Sequence, residues 1–177
     1  INKIEEEGGS FSTFASEEKI AFSKVINYVL REDKHCEKLL PLIPESNDLF
    51  TNIKDGIILC KLLNTIEQKI DERVINIKDH LNVFQMTENL NLALNTSKSL
   101  GITVIGINYQ TIFDQKYTLI LGVIWQIVKL VLLKDVNLKN IPQLVRLLKD
   151  GEKLSDLLKL PKEEILLRWF NFHLAAA

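Results

Sequence analysis

Apolar residues recur at spacings of three and four along most of this chain, a pattern that predicts amphipathic helices. The first stripe follows Ser16, which suits a helix N-cap, and Glu17 and Glu18 fall in the first turn, where the helix dipole favours anions. Four main helices are predicted, over residues 17–32, 55–65, 81–100 and 117–133. Their inward positions predict an all-α fold whose core includes Phe22, Leu59, Leu90, Leu94 and Trp125.

The segments outside the four main helices are predicted to be a linker, a connector and short helices. Residues 1–15 have no period and contain Gly-Gly-Ser, which predicts a linker. Residues 102–107 read Ile-Thr-Val-Ile-Gly-Ile, but a strand without a partner is unstable, so a buried extended connector is expected. Residues 137–160 predict two short amphipathic helices around the turn Asp150-Gly151. Pro161 suits the first position of a final helix.

The helix predicted over 117–133 has an unusual polar edge. Thr118, Gly122, Gln126 and Lys129 form one narrow stripe, while almost every other position is apolar. This edge either meets solvent or packs on residues 137–160, or it is a partner surface, because exposed apolar residues beside a polar strip mark interaction sites. The first helix has a similar second face. The residues expected at the flank of the stripe and on that second face are Leu119, Val123, Ile20, Lys24, Asn27 and Tyr28.

Composition narrows the functional classes. The 177 residues are 46% hydrophobic and 25% charged with a net charge of −1, which gives no basic footprint for nucleic acid and none for an anionic membrane. The longest apolar run, 119–133, is short and interrupted, which predicts a buried helix and no membrane span. Glu5, Glu6 and Glu7 stand where a signal peptide would be apolar. Cys36 and Cys60 fit buried, reduced thiols.

Motifs for catalysis and cofactor binding are absent from the sequence. It has no glycine-rich phosphate loop, no Gly-x-Ser-x-Gly turn, no zinc spacing of histidines or cysteines, and no twelve-residue calcium loop. His35, His80 and His173 lie far apart in the sequence. We therefore expect no enzyme activity, no metal site and no cofactor.

Six segments in this order resemble the fimbrin/plastin family. They are SEEKIAF at 16–22, DGIILCKLLN at 55–64, IDERVIN at 70–76, ENLNLALN at 88–95, LGVIWQIVK at 121–129 and LLRWFNFHL at 166–174. The ordered set, with the Leu-Leu-Arg-Trp segment, is specific to fimbrins rather than to calponin homology domains in general. The resemblance implies a calponin homology fold, with four main helices and short connecting helices.

Fimbrins carry two tandem pairs of calponin homology domains behind calcium-binding EF-hands, and they cross-link actin filaments into bundles. The resemblance therefore implies a fragment of a cytoplasmic, cytoskeletal actin-bundling protein, with an intramolecular second domain as an additional partner. It implies that 1–15 is a linker from an EF-hand region and that 16–135 is the first calponin homology domain. Residues 136–160 become an interdomain linker, 161–174 the first helix of the second domain, and 175–177 an artificial or unassigned tail.

Tandem pairs of this family meet actin through the first helix, the last long helix with its preceding loop, and the first helix of the second domain. The implied actin-binding residues are Ile20, Lys24, Asn27, Tyr28, Lys116, Thr118, Leu119, Gly122, Val123, Gln126, Lys129 and Arg168. The family usually has Trp where Val25 stands, so looser packing is expected there. The alternative function is a calponin homology domain that binds microtubules or a scaffold protein.

Overall fold

The computed structural model describes residues 8–135 and 145–161, together with the single positions 164, 168 and 171. This part of the chain is all-helical and contains no β-strand. Short 3₁₀ turns occur at Lys34–Cys36, Glu72–Val74 and Val145–Leu147. The α-helices are α1 (Gly8–Val29), α2 (Asp48–Asn52), α3 (Ile57–Ile66), α4 (Val83–Ser99), α5 (Tyr109–Phe113), α6 (Tyr117–Asp135) and α7 (Leu154–Leu158). The predicted all-α class and the four main helices are confirmed.

The first helix begins earlier than the sequence predicted. α1 starts at Gly8 and not near Glu17, so residues 8–15 are helical, and Ser16 lies inside the helix instead of capping it. Phe11 and Phe14 extend the helical spacing of apolar residues upstream of Ser16. Helix propensity is a weak preference, and here the spacing overrides the Gly-Gly signal. Residues 1–7 lie outside the described part of the chain.

Two compact units make up the chain, Ile1–Ile127 and Val128–Ala177. In the first, Phe22, Leu59, Leu90 and Leu94 are all buried, as their periodicity predicts.

The core assignment of Trp125 is wrong. Its side chain is 42% exposed, and its ring stacks on that of Phe22 with 6.0 Å between the centroids. The buried side of this part of α6 is formed by Ile120, Ile124 and Ile127. Trp125 lies about 100° around the helix from Ile124, which turns its ring towards the rim of the core.

A close approach of the Asp55-Gly56 turn to α4 fixes the centre of the first unit. Gly56 has a φ of 79°, and a Cβ added to it would lie 2.6 Å from the Cβ of Asn89 and 2.8 Å from the backbone nitrogen of Leu90. The buried Asn89 side chain donates through Nδ2 to the carbonyl oxygens of Asp55 and Asn76, each at 2.9 Å, and its Oδ1 accepts from the Asn76 N–H at 2.8 Å. Three of the six fimbrin-like segments therefore meet at one amide.

A buried lysine joins α3 to two 3₁₀ turns. Lys61 on α3 is buried, and its ammonium lies 2.9 Å from Glu72 Oε1, 2.8 Å from His35 Nδ1 and 3.5 Å from Asp33 Oδ2. A buried charge is tolerated when it is paired and hydrogen-bonded. This set of contacts fastens both 3₁₀ turns, Lys34–Cys36 and Glu72–Val74, to α3.

The connector at 102–107 is not a strand, as predicted, but it is only partly buried. Ile102 and Val104 point into the core, whereas Ile105 is 87% exposed. A turn at Gly106, with a φ of 75°, lifts Ile105 away from the domain. The expectation of a wholly buried connector is therefore corrected at Ile105.

In the second unit, Val145–Leu147 and α7 flank a turn at Asp150 and Gly151, whose φ is 79°. The two short helical pieces predicted around that turn are present, the first as a 3₁₀ turn. Residues 136–144, which were assigned to the linker, lie outside the described part, and so does most of the predicted final helix.

Candidate partner-binding surface

The outward side of α6 in the first unit presents large and small residues together. Thr118, Gly122 and Trp125 follow at i, i+4 and i+7 and are exposed, as are Leu119 and Lys116 beside them. We call these five residues the α6 face. A Cβ added to Gly122 would have no neighbour within 4 Å, so no helix packing in the described residues requires a glycine there. The sequence stripe thus has a real exposed counterpart, and Trp125 is part of it.

Val123 does not belong to this face. It is 5% exposed and lies on the inward side of α6, three residues after Ile120 and four before Ile127. The prediction that Val123 flanks the polar stripe at the surface is therefore corrected. A residue next to an exposed glycine in sequence is turned by about 100°, which is enough to place it in the core.

Gln126 has a structural partner that sequence reasoning missed. Its Nε2 donates to the Thr103 carbonyl at 2.9 Å, and its Oε1 accepts from the Thr103 N–H at 2.9 Å. The half-buried amide thus takes the place of the absent neighbouring strand and satisfies the backbone of the connector. Gln126 belongs first to the scaffold of the site. A signal for it existed, since an extended segment without a strand partner needs other hydrogen-bonding groups.

The predicted partner-binding face of α1 also contains both exposed residues and residues that bond within the domain. Lys24 and Tyr28 are exposed, and the guanidinium of Arg31 lies 4.3 Å from the centre of the Tyr28 ring. Ile20 is half-buried. Asn27 binds the backbone of Leu42 with both ends of its amide, donating to the carbonyl at 2.9 Å and accepting from the N–H at 2.7 Å. Asn27 therefore holds the loop before α2 in addition to any contact with a partner.

Val25 occupies the position at which the family usually has Trp, and it is buried at 6% exposure. The smaller side chain still belongs to the core. The large aromatic contact on this side of α1 is instead the stack of Phe22 on Trp125.

Two predicted site residues lie in the second unit. Lys129 is half-buried. The Nη1 of Arg168 donates to Glu152 Oε1 at 2.5 Å, and the Arg168 side chain is only 13% exposed. The expectation that Arg168 is presented to a partner is corrected for this chain, because its charge is already engaged by Glu152.

The described residues contain no group of three or more histidine, cysteine and carboxylate side chains placed to hold a metal ion. Both cysteines are free and buried. Burial raises the pKa of Cys36 to about 12, helped by the negative charge of Asp33, and burial raises the pKa of Cys60 to about 12 as well. Such thiols are protonated and poorly nucleophilic at neutral pH. None of the described helices combines the length and the apolar character that crossing a membrane requires.

Comparisons with known proteins give a consistent result. The calponin homology (CH) domain model matches residues 16–132. Plastin-1 of Mus musculus is 46% identical over 170 residues, which cover 96% of this chain and 27% of the relative. Plastin-2 of Danio rerio is 43% identical over 97% of this chain and 28% of its own length. Fimbrin of Dictyostelium discoideum is 45% identical over 93% of this chain and 27% of its own length.

Among solved structures, the crystal structure of the actin-crosslinking core of Schizosaccharomyces pombe fimbrin matches with a TM-score of 0.65 and 37% identity. The match covers 91% of this chain and 32% of that one. The chain spans about a quarter of the length of the curated relatives it matches.

Proposed function

Since the chain belongs to the calponin homology domain family, and is similar over most of its length to plastins and fimbrins, we propose that it binds actin filaments as part of a fimbrin-type bundling protein. We also propose the domain organisation that the resemblance implies. Residues 16–135 form the first calponin homology domain, 136–160 connect it, and 161–174 begin a second domain. The protein works in the cytoplasmic actin cytoskeleton, its second domain is an intramolecular partner, and it has no catalytic activity.

The observation that carries the proposal is the exposed α6 face. Large aromatic side chains that are half in water supply much of the binding energy when a partner covers them, and Trp125 is such a residue. Gly122 lies one turn before it, and no described residue would contact a Cβ there, although glycine within a helix costs about 1 kcal/mol relative to alanine. A gap of this kind lets the backbone of a partner approach the helix closely.

Charge complements this shape. Lys116 precedes α6, and Lys24 is exposed on α1. Lysines at the edge of an interface act mainly on the association rate and on its salt dependence, and they favour an acidic partner surface. Gln126 and Asn27 hold the connector and the loop that flank these elements, so they position the surface from within.

Co-sedimentation with actin filaments tests the proposal, and Gly122→Leu is the most direct variant. A Cβ on residue 122 would meet nothing within 4 Å, so we expect that the melting temperature of Gly122→Leu does not fall. A leucine there would hold a partner away from the helix and should weaken filament binding about tenfold, as at other central contact positions. Gly122→Ala is the matched control, because it favours the helix equally and adds only one methyl group.

A second pair of variants tests the contribution of charge. Lys116→Glu is compared with Lys78→Glu, an equal charge reversal on the exposed loop before α4. Only Lys116→Glu should reduce binding at low salt, and the difference should shrink as salt is added. Equal binding of Gly122→Leu and the parent chain would contradict the proposed surface. Preferential co-sedimentation with microtubules would instead support the alternative partner.

A further inference from the structure

The second unit contains an ion pair that is largely removed from water. Arg168 Nη1 and Glu152 Oε1 are 2.5 Å apart, and the two side chains are 13% and 19% exposed. Hydrogen bonds between ionised groups are short and strong, and this pair joins two residues sixteen positions apart, with all of α7 between them.

A second carboxylate lies near the guanidinium but does not replace Glu152. Glu164 Oε1 is 3.9 Å from Arg168 Nε, which is too far for a hydrogen bond, and its side chain is 45% exposed. The buried Nε has no hydrogen-bond partner. An unsatisfied buried donor is costly, so the position of the guanidinium is set by its bond to Glu152 and not by complete satisfaction of its donors.

Glu152 is well placed to control the segment that follows it. It comes directly after the turn at Gly151, and the next residue, Lys153, is the N-cap of α7. The N–H of Lys153 donates to Asp156 Oδ2 at 3.1 Å, which closes the first turn of that helix, and Leu157 is fully buried. Among the described side chains, the ion pair beside the N-cap and the buried Leu157 hold this helix of five residues, a length that is not stable by itself.

We propose that the ion pair between Glu152 and Arg168 acts as a latch. It holds residues 145–161 in their folded conformation by fastening Glu152 to Arg168, which lies in a helix. Residues 145–161 then form a strap that has a closed and an open state. When the pair breaks, α7 loses its anchor at the N-terminal side. The guanidinium becomes available to another acidic group at the same time. This inference is independent of the proposed filament binding.

Amide hydrogen exchange in the complete chain tests the latch. The amides of Leu157, Lys159 and Leu160 report on the segment, because each donates within it and none belongs to a substituted residue. Glu152→Gln and Arg168→Gln should each accelerate their exchange about tenfold, since loss of one partner of a mostly buried pair opens the segment more often. Exchange in α4 is the internal reference, because a variant that simply unfolds accelerates both regions.

Two further variants make the test specific. Glu164→Gln is the matched control and should change exchange less than about twofold, since its carboxylate is half-exposed and does not hydrogen-bond to the guanidinium. The charge-swapped variant, Glu152→Arg with Arg168→Glu in the Glu164→Gln background, should restore slow amide exchange. The latch is refuted if both single variants keep amide exchange rates within about twofold of the parent. It is also refuted if the amides of the charge-swapped variant exchange as fast as those of the single variants.

Discussion

Replacement of Gly56 by alanine should destabilise the fold more than any other single methyl addition at the described glycines. The φ of 79° lies in the left-handed region, where a Cβ costs about 1–2 kcal/mol. The new Cβ would also lie 2.6 Å from Asn89 Cβ and 2.8 Å from the backbone of Asn89 and Leu90. Backbone atoms inside α4 have little freedom to move, so overpacking adds about 1–3 kcal/mol.

Relief of this clash would require the turn to move away from α4. That movement would lengthen the 2.9 Å hydrogen bond from Asn89 Nδ2 to the Asp55 carbonyl, which contributes about 1 kcal/mol. We therefore expect Gly56→Ala to lower the free energy of unfolding by about 4 kcal/mol, a large part of the stability of a typical domain. For a chain of this size, the melting temperature should fall by about 10 °C.

Urea unfolding followed by circular dichroism measures the effect, and Gly101→Ala is its control. Gly101 has nearly the same φ, 84°, but an added Cβ would meet nothing within 4 Å. Gly101→Ala should therefore lower the free energy of unfolding only by the cost of a Cβ in the left-handed conformation, about 1–2 kcal/mol. The difference between the two variants isolates the contact with α4. If Gly56→Ala costs no more than Gly101→Ala, the close approach of the turn to Asn89 does not exist in solution.

Three further predictions concern burial and charge. Cys36 and Cys60, each with a pKa of about 12, should react with a thiol reagent at pH 8 only after urea is added, and rapid labelling of the native protein would contradict their burial. Burial raises the pKa of Asp55, so its contribution to stability should fall as the pH rises from the unfolded value of about 4 through the folded pKa. Asp55→Asn keeps the acceptor for the Ile57 N–H, and its unfolding free energy relative to the parent should increase between pH 4 and pH 7 in urea titrations; a constant difference would be inconsistent with a raised pKa. Trp125→Ala should cost about 2 kcal/mol in the same assay, below the 3–5 kcal/mol of a fully buried aromatic, because much of the ring is in water, and a cost above about 4 kcal/mol would mean that the ring is buried in solution.

The sequence alone was enough to place the long helices. The apolar spacing around Phe22, Leu59 and Leu90 predicted three of them and their inward sides, because helical periodicity depends only on neighbours three and four residues away. The resemblance of the ordered segments also implied a calponin homology fold, which the calponin homology match to residues 16–132 confirms.

The apolar spacing did not predict the rotation of α6 about its own axis. Nearly all of its residues are apolar, so the pattern does not distinguish a core residue from one at the rim. Val123 and Trp125 were assigned to opposite environments from those the structure gives them. The rotation of this helix is decided by what packs on it, here the stack of Phe22 on Trp125 and the bond of Gln126 to Thr103.

Tertiary structure also decided which polar residues of the predicted surface are engaged within the chain. Gln126, Asn27 and Arg168 all looked available from sequence. They instead bind partners 23, 15 and 16 residues away. Sequence reasoning sees the side chain but not the backbone or carboxylate that folding brings opposite it. Most buried polar groups have such a partner, so only the folded contacts separate Trp125, Gly122 and Lys116, which face outward, from the residues that hold them in place.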